Sequence, residues 1–184
     1  MSGVIGTSPD MLSGVVGKYP AGHVLQVQTS TVTTTIYSTT QDWNDIDSTN
    51  LAVSLTMSSA SNKVLVIWSG GIGMHNGWTP VTRVVRDYAT AGSSTVSATS
   101  TGSGPAGVAI APGYSDSQES SADQTAHFFD TPGAPAGTAI QYKMQWYGRQ
   151  EATGANYCNR QQAGYTASHY GAGISTISVW EITA

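Results

Sequence analysis

Apolar and polar residues alternate along much of this chain with a period of two, the spacing of a strand that buries one face. Leu51–Met57 puts Leu51, Val53, Leu55 and Met57 on one side and Ala52, Ser54 and Thr56 on the other. Ala139–Tyr147 gathers Ile140, Tyr142, Met144 and Trp146 in the same way. Ile174–Ile182 sets Ile177, Val179 and Glu181 opposite Ser178, Trp180 and Ile182. Lys63–Trp68 is apolar on both sides and reads as a central strand covered on both faces. Shorter candidates are His23–Gln28, Thr31–Tyr37, Val81–Asp87, Gly107–Ile110, Gln124–Asp130 and Asn156–Arg160. No stretch of a dozen residues carries apolar side chains at i, i+3, i+4 and i+7, so no helix is expected. Nine or ten short strands between Gly, Pro, Asn and Ser turns predict an all-β antiparallel sandwich or barrel. An eight-stranded jelly roll with one or two extra strands fits the length.

Three stretches read as long loops: Ala89–Gly104, Pro112–Ala122 and Gln161–Gly173. Loops of that length in a compact domain usually serve a function. The third adds Tyr165, His169 and Tyr170, a candidate ligand or interface loop. Residues 1–22 lack alternation and instead space apolar side chains between glycines: Val4, Ile5, Met11, Leu12, Val15, Val16 and Tyr19. That composition suits an extended arm lying on another surface. The expected division is an arm over 1–22 and a β-domain over 23–184.

Composition narrows the function. Charged residues are 10% of the 184, against about 25% in an ordinary soluble protein. A quarter of the chain is Ser or Thr. Seven Lys and Arg and a net charge of -4 leave no basic footprint for nucleic acid. No apolar run reaches the roughly 18 residues of a membrane helix, so no membrane partner is expected. The opening Met1-Ser2-Gly3-Val4 has no basic region and no apolar core, so a secretory signal is not expected either. The single cysteine, Cys158, excludes an intramolecular disulfide framework and a Cys-rich zinc site. Surface charge keeps monomers apart, and a surface this poor in charge is expected to meet other protein in an assembly.

Candidate chemistry is thin. Asp42, Asn44 and Asp47 offer oxygens, but a calcium loop needs Gly at its sixth position and Glu at its twelfth, where Asp47 and Val53 stand. An Asx-capped turn between strands is the better reading. The histidines, His23, His75, His127 and His169, are scattered without metal-ligand spacing. His75 with Asn76-Gly77 reads as a hairpin turn, and His127 as a packed or interface side chain. Gly102-Ser103-Gly104 lacks the strand–turn–helix setting of a nucleophile elbow. Cys158 reads as a small buried hydrophobe. Arg83 and Arg86, three positions apart on one strand, must face opposite sides. The late aromatics Tyr142, Trp146, Tyr147, Tyr157, Tyr165, Tyr170 and Trp180 suit subunit interfaces and carbohydrate-stacking sites alike, and a core and subunit interface is the favoured reading. No enzymatic activity, metal or cofactor is expected.

An ordered series of short motifs resembles a family of bacteriophage virion domains. Gly22-His-Val-Leu-Gln-Val-Gln-Thr29 opens it, followed by Thr39-Thr-Gln-Asp-Trp-Asn-Asp45 and Leu51-Ala-Val-Ser-Leu-Thr56. Ser58-Ser-Ala-Ser-Asn-Lys-Val-Leu-Val66, Arg83-Val-Val-Arg-Asp87 and Phe129-Asp-Thr-Pro132 come next. Gln141-Tyr-Lys-Met-Gln-Trp146, Asn159-Arg160 and Ser178-Val-Trp-Glu-Ile182 complete it. Tyr88 stands where the family has Gly, and Cys158 where it is usually aliphatic. The resemblance implies a jelly roll, a homotrimer and a place in a phage particle. Two roles follow from it. In the first, the trimer is a capsid decoration, or cement, protein on the outer shell. Its arm binds the major capsid protein through Ile5, Met11, Leu12, Val15, Val16 and Tyr19. In the second, it is a head-fibre or tail-fibre knob whose loop with Tyr165, His169 and Tyr170 contacts host surface glycan.

Overall fold

Burial follows the alternation. In the segment 139–148 the side chains of Ile140, Tyr142, Met144 and Trp146 are fully enclosed, while Gln141, Lys143, Gln145 and Tyr147 between them are half-buried. The computed structural model describes residues 19–40, 42–73, 81–88, 92–96, 109–110, 121–148, 156–159 and 173–184. Among these residues there are strands and no helix. The strands are β1 (Val24–Val32), β2 (Ile36–Ser38), β3 (Asp42–Asp45), β4 (Ala52–Thr56), β5 (Lys63–Gly73) and β6 (Val81–Tyr88). They continue with β7 (Gly92–Thr95), β8 (Ala109–Ile110), β9 (Ser121–Asp130), β10 (Ala139–Gly148), β11 (Asn156–Cys158) and β12 (Ser175–Ile182).

All recorded pairings are antiparallel, in two sheets. In the first sheet β5 lies between β12 and β9, β1 flanks β12, and β11 with β2 continue beside the far end of β5. In the second, β10 lies between β6 on one side and β3 and β4 on the other, and β7 and β8 flank β6. The core lies between them. Val64, Val66, Trp68, Ile72, Ile177 and Val179 come from the first sheet, and Val53, Leu55, Val84, Ile140, Tyr142, Met144 and Trp146 from the second.

Four sequence expectations change. Asp42–Asp45 is a strand rather than part of a turn, because it pairs with Gln145–Gly148 at the sheet edge, where polar side chains are tolerated. Asp47, just beyond it, does make the Asx turn, accepting from the backbone N–H groups of Thr49 at 2.9 Å and Asn50 at 2.8 Å. Gly92–Thr95 is a strand inside a stretch read as loop, held by β6 through Val85–Tyr88. The first strand runs unbroken to Val32, where two segments were expected, since β12 pairs with it along that length. Finally, β5 is central, but among the described residues only one of its faces is fully covered: Val64, Val66 and Trp68 are enclosed, whereas Leu65 and Ile67 are half-buried.

Gly70 lies on the enclosed side of β5, where no side chain fits. A Cβ there would stand 2.9 Å from Ser175 Cβ and collide with Ser175 Oγ. Ser175 has little freedom to yield, because its hydroxyl donates to Asn159 Oδ1 at 2.6 Å. Gly70→Ala is therefore expected to cost about 2 kcal/mol of stability, in the range for overpacked cores. Gly71→Ala, whose Cβ would meet only Asp123 Oδ1 at 3.5 Å, is the control and should be nearly neutral. Urea unfolding of both variants measures the difference, and equal midpoints would contradict the clash.

Candidate functional site

Residues 19–23 meet Thr183 in a clamp built from both ends of the described chain. Gly22 has φ of +84°, a turn conformation that costs glycine nothing. Its N–H donates to the Thr183 carbonyl at 2.9 Å, and Thr183 N–H returns a bond to the His23 carbonyl at 2.9 Å. His23 N–H donates to Thr183 Oγ1 at 2.9 Å, and the Thr183 hydroxyl donates to the Pro20 carbonyl. Tyr19 stacks on His23 with ring centroids 4.5 Å apart and planes 10° from parallel. Residues 20–23 are thus fastened to Thr183, just after β12, by backbone bonds and the Thr183 hydroxyl, and the Tyr19–His23 stack braces the segment itself.

Two residues before the clamp, Glu181 anchors the same corner from inside. Its side chain is fully enclosed. One carboxylate oxygen accepts from Ser58 N–H at 2.8 Å, the Ser58 hydroxyl at 2.8 Å and the Asn62 amide at 2.8 Å. The other accepts from the Gln26 amide at 2.6 Å. Burial alone raises its pKa, but the bonds from Asn62, Gln26 and Ser58 outweigh it, so the group titrates below the usual glutamate value. The network ties β1, β12 and the β4–β5 link together beside the clamp.

Asn159 fastens the opposite end of the first sheet. It sits at φ of +62°, which asparagine tolerates better than most residues. Its amide donates to the Val32 carbonyl at 2.8 Å and the Thr34 carbonyl at 3.0 Å, and its oxygen accepts from Ser175. Cys158, enclosed beside it, lies 3.2 Å from Ser175 Oγ. Burial pushes the thiol's pKa up, which disfavours the reactive thiolate.

Arg83 and Arg86 do face opposite sides. Arg86 points between the sheets, where its guanidinium lies 2.6 Å from the Asp130 carboxylate, and the Tyr142 hydroxyl donates to the same carboxylate at 2.7 Å. Arg83 lies on the outer face of the second sheet, 3.9 Å above the Trp43 ring, and donates to Gln145 Oε1 at 2.8 Å. Gln145 donates in turn to Asp45 at 2.7 Å, and Lys143 bridges Asp45 at 3.3 Å and Asp87 at 3.4 Å. These charges partner one another, and Trp43 meets Tyr147 edge-on at 5.6 Å. This outer face is a self-contained polar lattice.

Of the site residues expected from the sequence, Tyr19 is at the clamp and partly exposed. Ile5, Met11, Leu12, Val15 and Val16 lie outside the described residues, as do His75, Tyr165, His169 and Tyr170. His127 is exposed on the outer face of the first sheet. Among the described residues no group of three or more His, Cys, Asp or Glu is placed to hold a metal ion. The sequence reading did not single out Glu181 as an anchor. Its signal was a lone acid on the inward side of an alternating strand.

No protein-family profile and no curated protein matches the chain. Among solved structures, one described as the structure of infectious bursal disease virus Gx strain is similar at 10% identity and a TM-score of 0.36. The likeness covers 99% of this chain and 47% of that one, so the chain spans about half its length.

Proposed function

We propose that the chain is a structural, non-enzymatic protein of a bacteriophage virion. In this reading it is a homotrimeric jelly roll that decorates the outer capsid shell. The arm over 1–22 lies on the major capsid protein and stabilises it. The observation that carries the reading is the clamp at Pro20, Gly22, His23 and Thr183, which fixes the root of an apolar-dotted segment to a rigid sandwich. A segment meant to bear load between two proteins needs such an anchorage. The strand order β1-β12-β5-β9 facing β4-β10-β6-β7 supports the jelly roll. The charge-poor, hydroxyl-rich composition and the ordered series of phage-like motifs support the virion setting.

The test is deletion of residues 1–18, which leaves Tyr19 and the clamp in place. Burying one apolar side chain contributes about 1.5–3 kcal/mol, so losing even one anchor means about tenfold weaker binding. Occupancy of the truncated protein on decoration-free shells of its own virus should fall at least tenfold, read by gel densitometry or cryo-electron microscopy. Wild-type occupancy after truncation would overturn the arm's role.

A further inference from the structure

The outer face of the first sheet carries an exposed apolar row that runs straight across four strands. The pair registers align Val27 of β1 with Trp180 of β12, Trp180 with Leu65 of β5, and Leu65 with Phe129 of β9. Phe129 is 62% exposed and Val27 45%, while Trp180 and Leu65 are half-buried. The next row adds Thr29, Ser178, Ile67 and His127, and the third is Thr31, Thr176, Ser69 and Thr125. Among the described residues, no strand packs over this side of β5, the strand whose sequence is apolar on both faces.

The hydroxyls of these rows and the Trp180 N–H bond one another within the face. Thr29 donates to Ser178 Oγ at 3.1 Å, and Trp180 Nε1 donates to the same oxygen at 2.7 Å. Thr31 and Thr176 hydroxyls lie 3.2 Å apart, and Thr125 donates to Ser69 Oγ at 3.3 Å. A face whose donors bond one another loses few hydrogen bonds when water is removed. On these four strands its charges are confined to its two ends, Lys63 and Asp123, with His127 between. A strongly charged partner finds no counter-charge there.

We propose that this face binds a second copy of the same chain. Four strands about 4.8 Å apart and eight paired residues about 3.3 Å each make roughly 500 Å² of flat sheet. Three copies that turn this face to one three-fold axis remove roughly 1,500 Å² from water in all, above the roughly 1,000 Å² at which a specific interface separates from incidental contact. A second copy matches the face in character: near-neutral, hydroxyl-rich and apolar along one row. It thus covers Leu65 and Ile67 without stranding a charge. The inference rests on the self-association contained in the proposed function and names the surface that performs it.

Sedimentation equilibrium of the full chain between 1 and 100 µM tests it. The wild type should be oligomeric. Phe129→Lys and Val27→Lys should weaken association at least about a hundredfold, since a charge would enter the centre of a desolvated contact. Both side chains are exposed in the monomer, so circular dichroism should retain the β-sheet signature. Thr125→Arg, which leaves the apolar row untouched, should weaken it at least about tenfold. Ser54→Lys, exposed on the other sheet, should leave it unchanged. A wild type monomeric at 100 µM would overturn both this surface and the homotrimer. An oligomer that survives Phe129→Lys, Val27→Lys and Thr125→Arg would overturn the surface alone. The arm's role is judged separately by the deletion above.

Discussion

Replacing Glu181 by alanine is expected to lower the unfolding free energy by about 3–5 kcal/mol. The substitution removes the acceptor of four hydrogen bonds and leaves the Asn62 amide, the Ser58 N–H and hydroxyl, and the Gln26 amide without it. The enclosed Asn62 donor deprived of its acceptor costs about 1–3 kcal/mol, and the lost bonds from half-buried Gln26 and exposed Ser58, where water can take over part of the bonding, add about 1 kcal/mol each. Since domains of this size are stable by about 5–15 kcal/mol, the loss is a large fraction of the total. Glu181→Gln keeps the volume but turns an NH2 group toward donors, and should cost about 2 kcal/mol. The pH dependence has a definite sign. The carboxylate titrates lower in the folded chain than in the unfolded one. Its stabilisation is therefore present above the ordinary glutamate pKa and disappears as pH falls through the lower folded value. Urea unfolding of wild type and Glu181→Gln from pH 7 to pH 3, at one fixed protein concentration, should show the two curves converging in acid. Parallel curves would mean that Glu181 does not carry this charge.

The second large effect is expected at Asp130. Asp130→Ala removes the carboxylate that lies 2.6 Å from the Arg86 guanidinium and accepts from Tyr142 at 2.7 Å. Breaking such a pair from one side costs about 3–5 kcal/mol, because the remaining charge stays in a low-dielectric setting. The link also spans the sandwich, joining β9 of one sheet to β6 and β10 of the other. Removing all three polar groups together, as Arg86→Met, Asp130→Leu and Tyr142→Phe, should regain most of the loss. Apolar replacements of a buried charged set are often neutral or stabilising. Thermal unfolding of the single and triple variants separates the two cases. If Asp130→Ala and the triple variant were equally unstable, packing rather than the charge would be the cause.

Much of the framework was legible along the chain. The strands at 52–56, 139–148 and 175–182, and the first six residues of β5 at 63–68, were marked by alternation or by an apolar run. Burial of one side chain in two is the condition for a strand in a two-layer sandwich. Strands β3 and β7 were not legible, because Asp-Trp-Asn-Asp and Gly-Ser-Ser-Thr carry no apolar alternation. They are extended because β10 and β6 offer them backbone partners. The opposite facing of Arg83 and Arg86 followed from strand geometry, but the partners did not. Asp130 lies 44 residues from Arg86 in sequence.

By itself, then, the sequence determined the all-β class and, for Leu51–Met57 and Ala139–Tyr147, which side chains share one face. Local period and solvent preference are properties of single segments, and they act before any strand has found its neighbour. The tertiary structure alone decided which segments lie side by side. Only that pairing brings Gln26, Ser58 and Asn62 to Glu181 across separations of 119 to 155 residues. It also closes the clamp between Gly22 and Thr183, and aligns Val27, Trp180, Leu65 and Phe129 into one row. Contacts of that range are set by the register between strands, which depends on all the strands of a sheet at once.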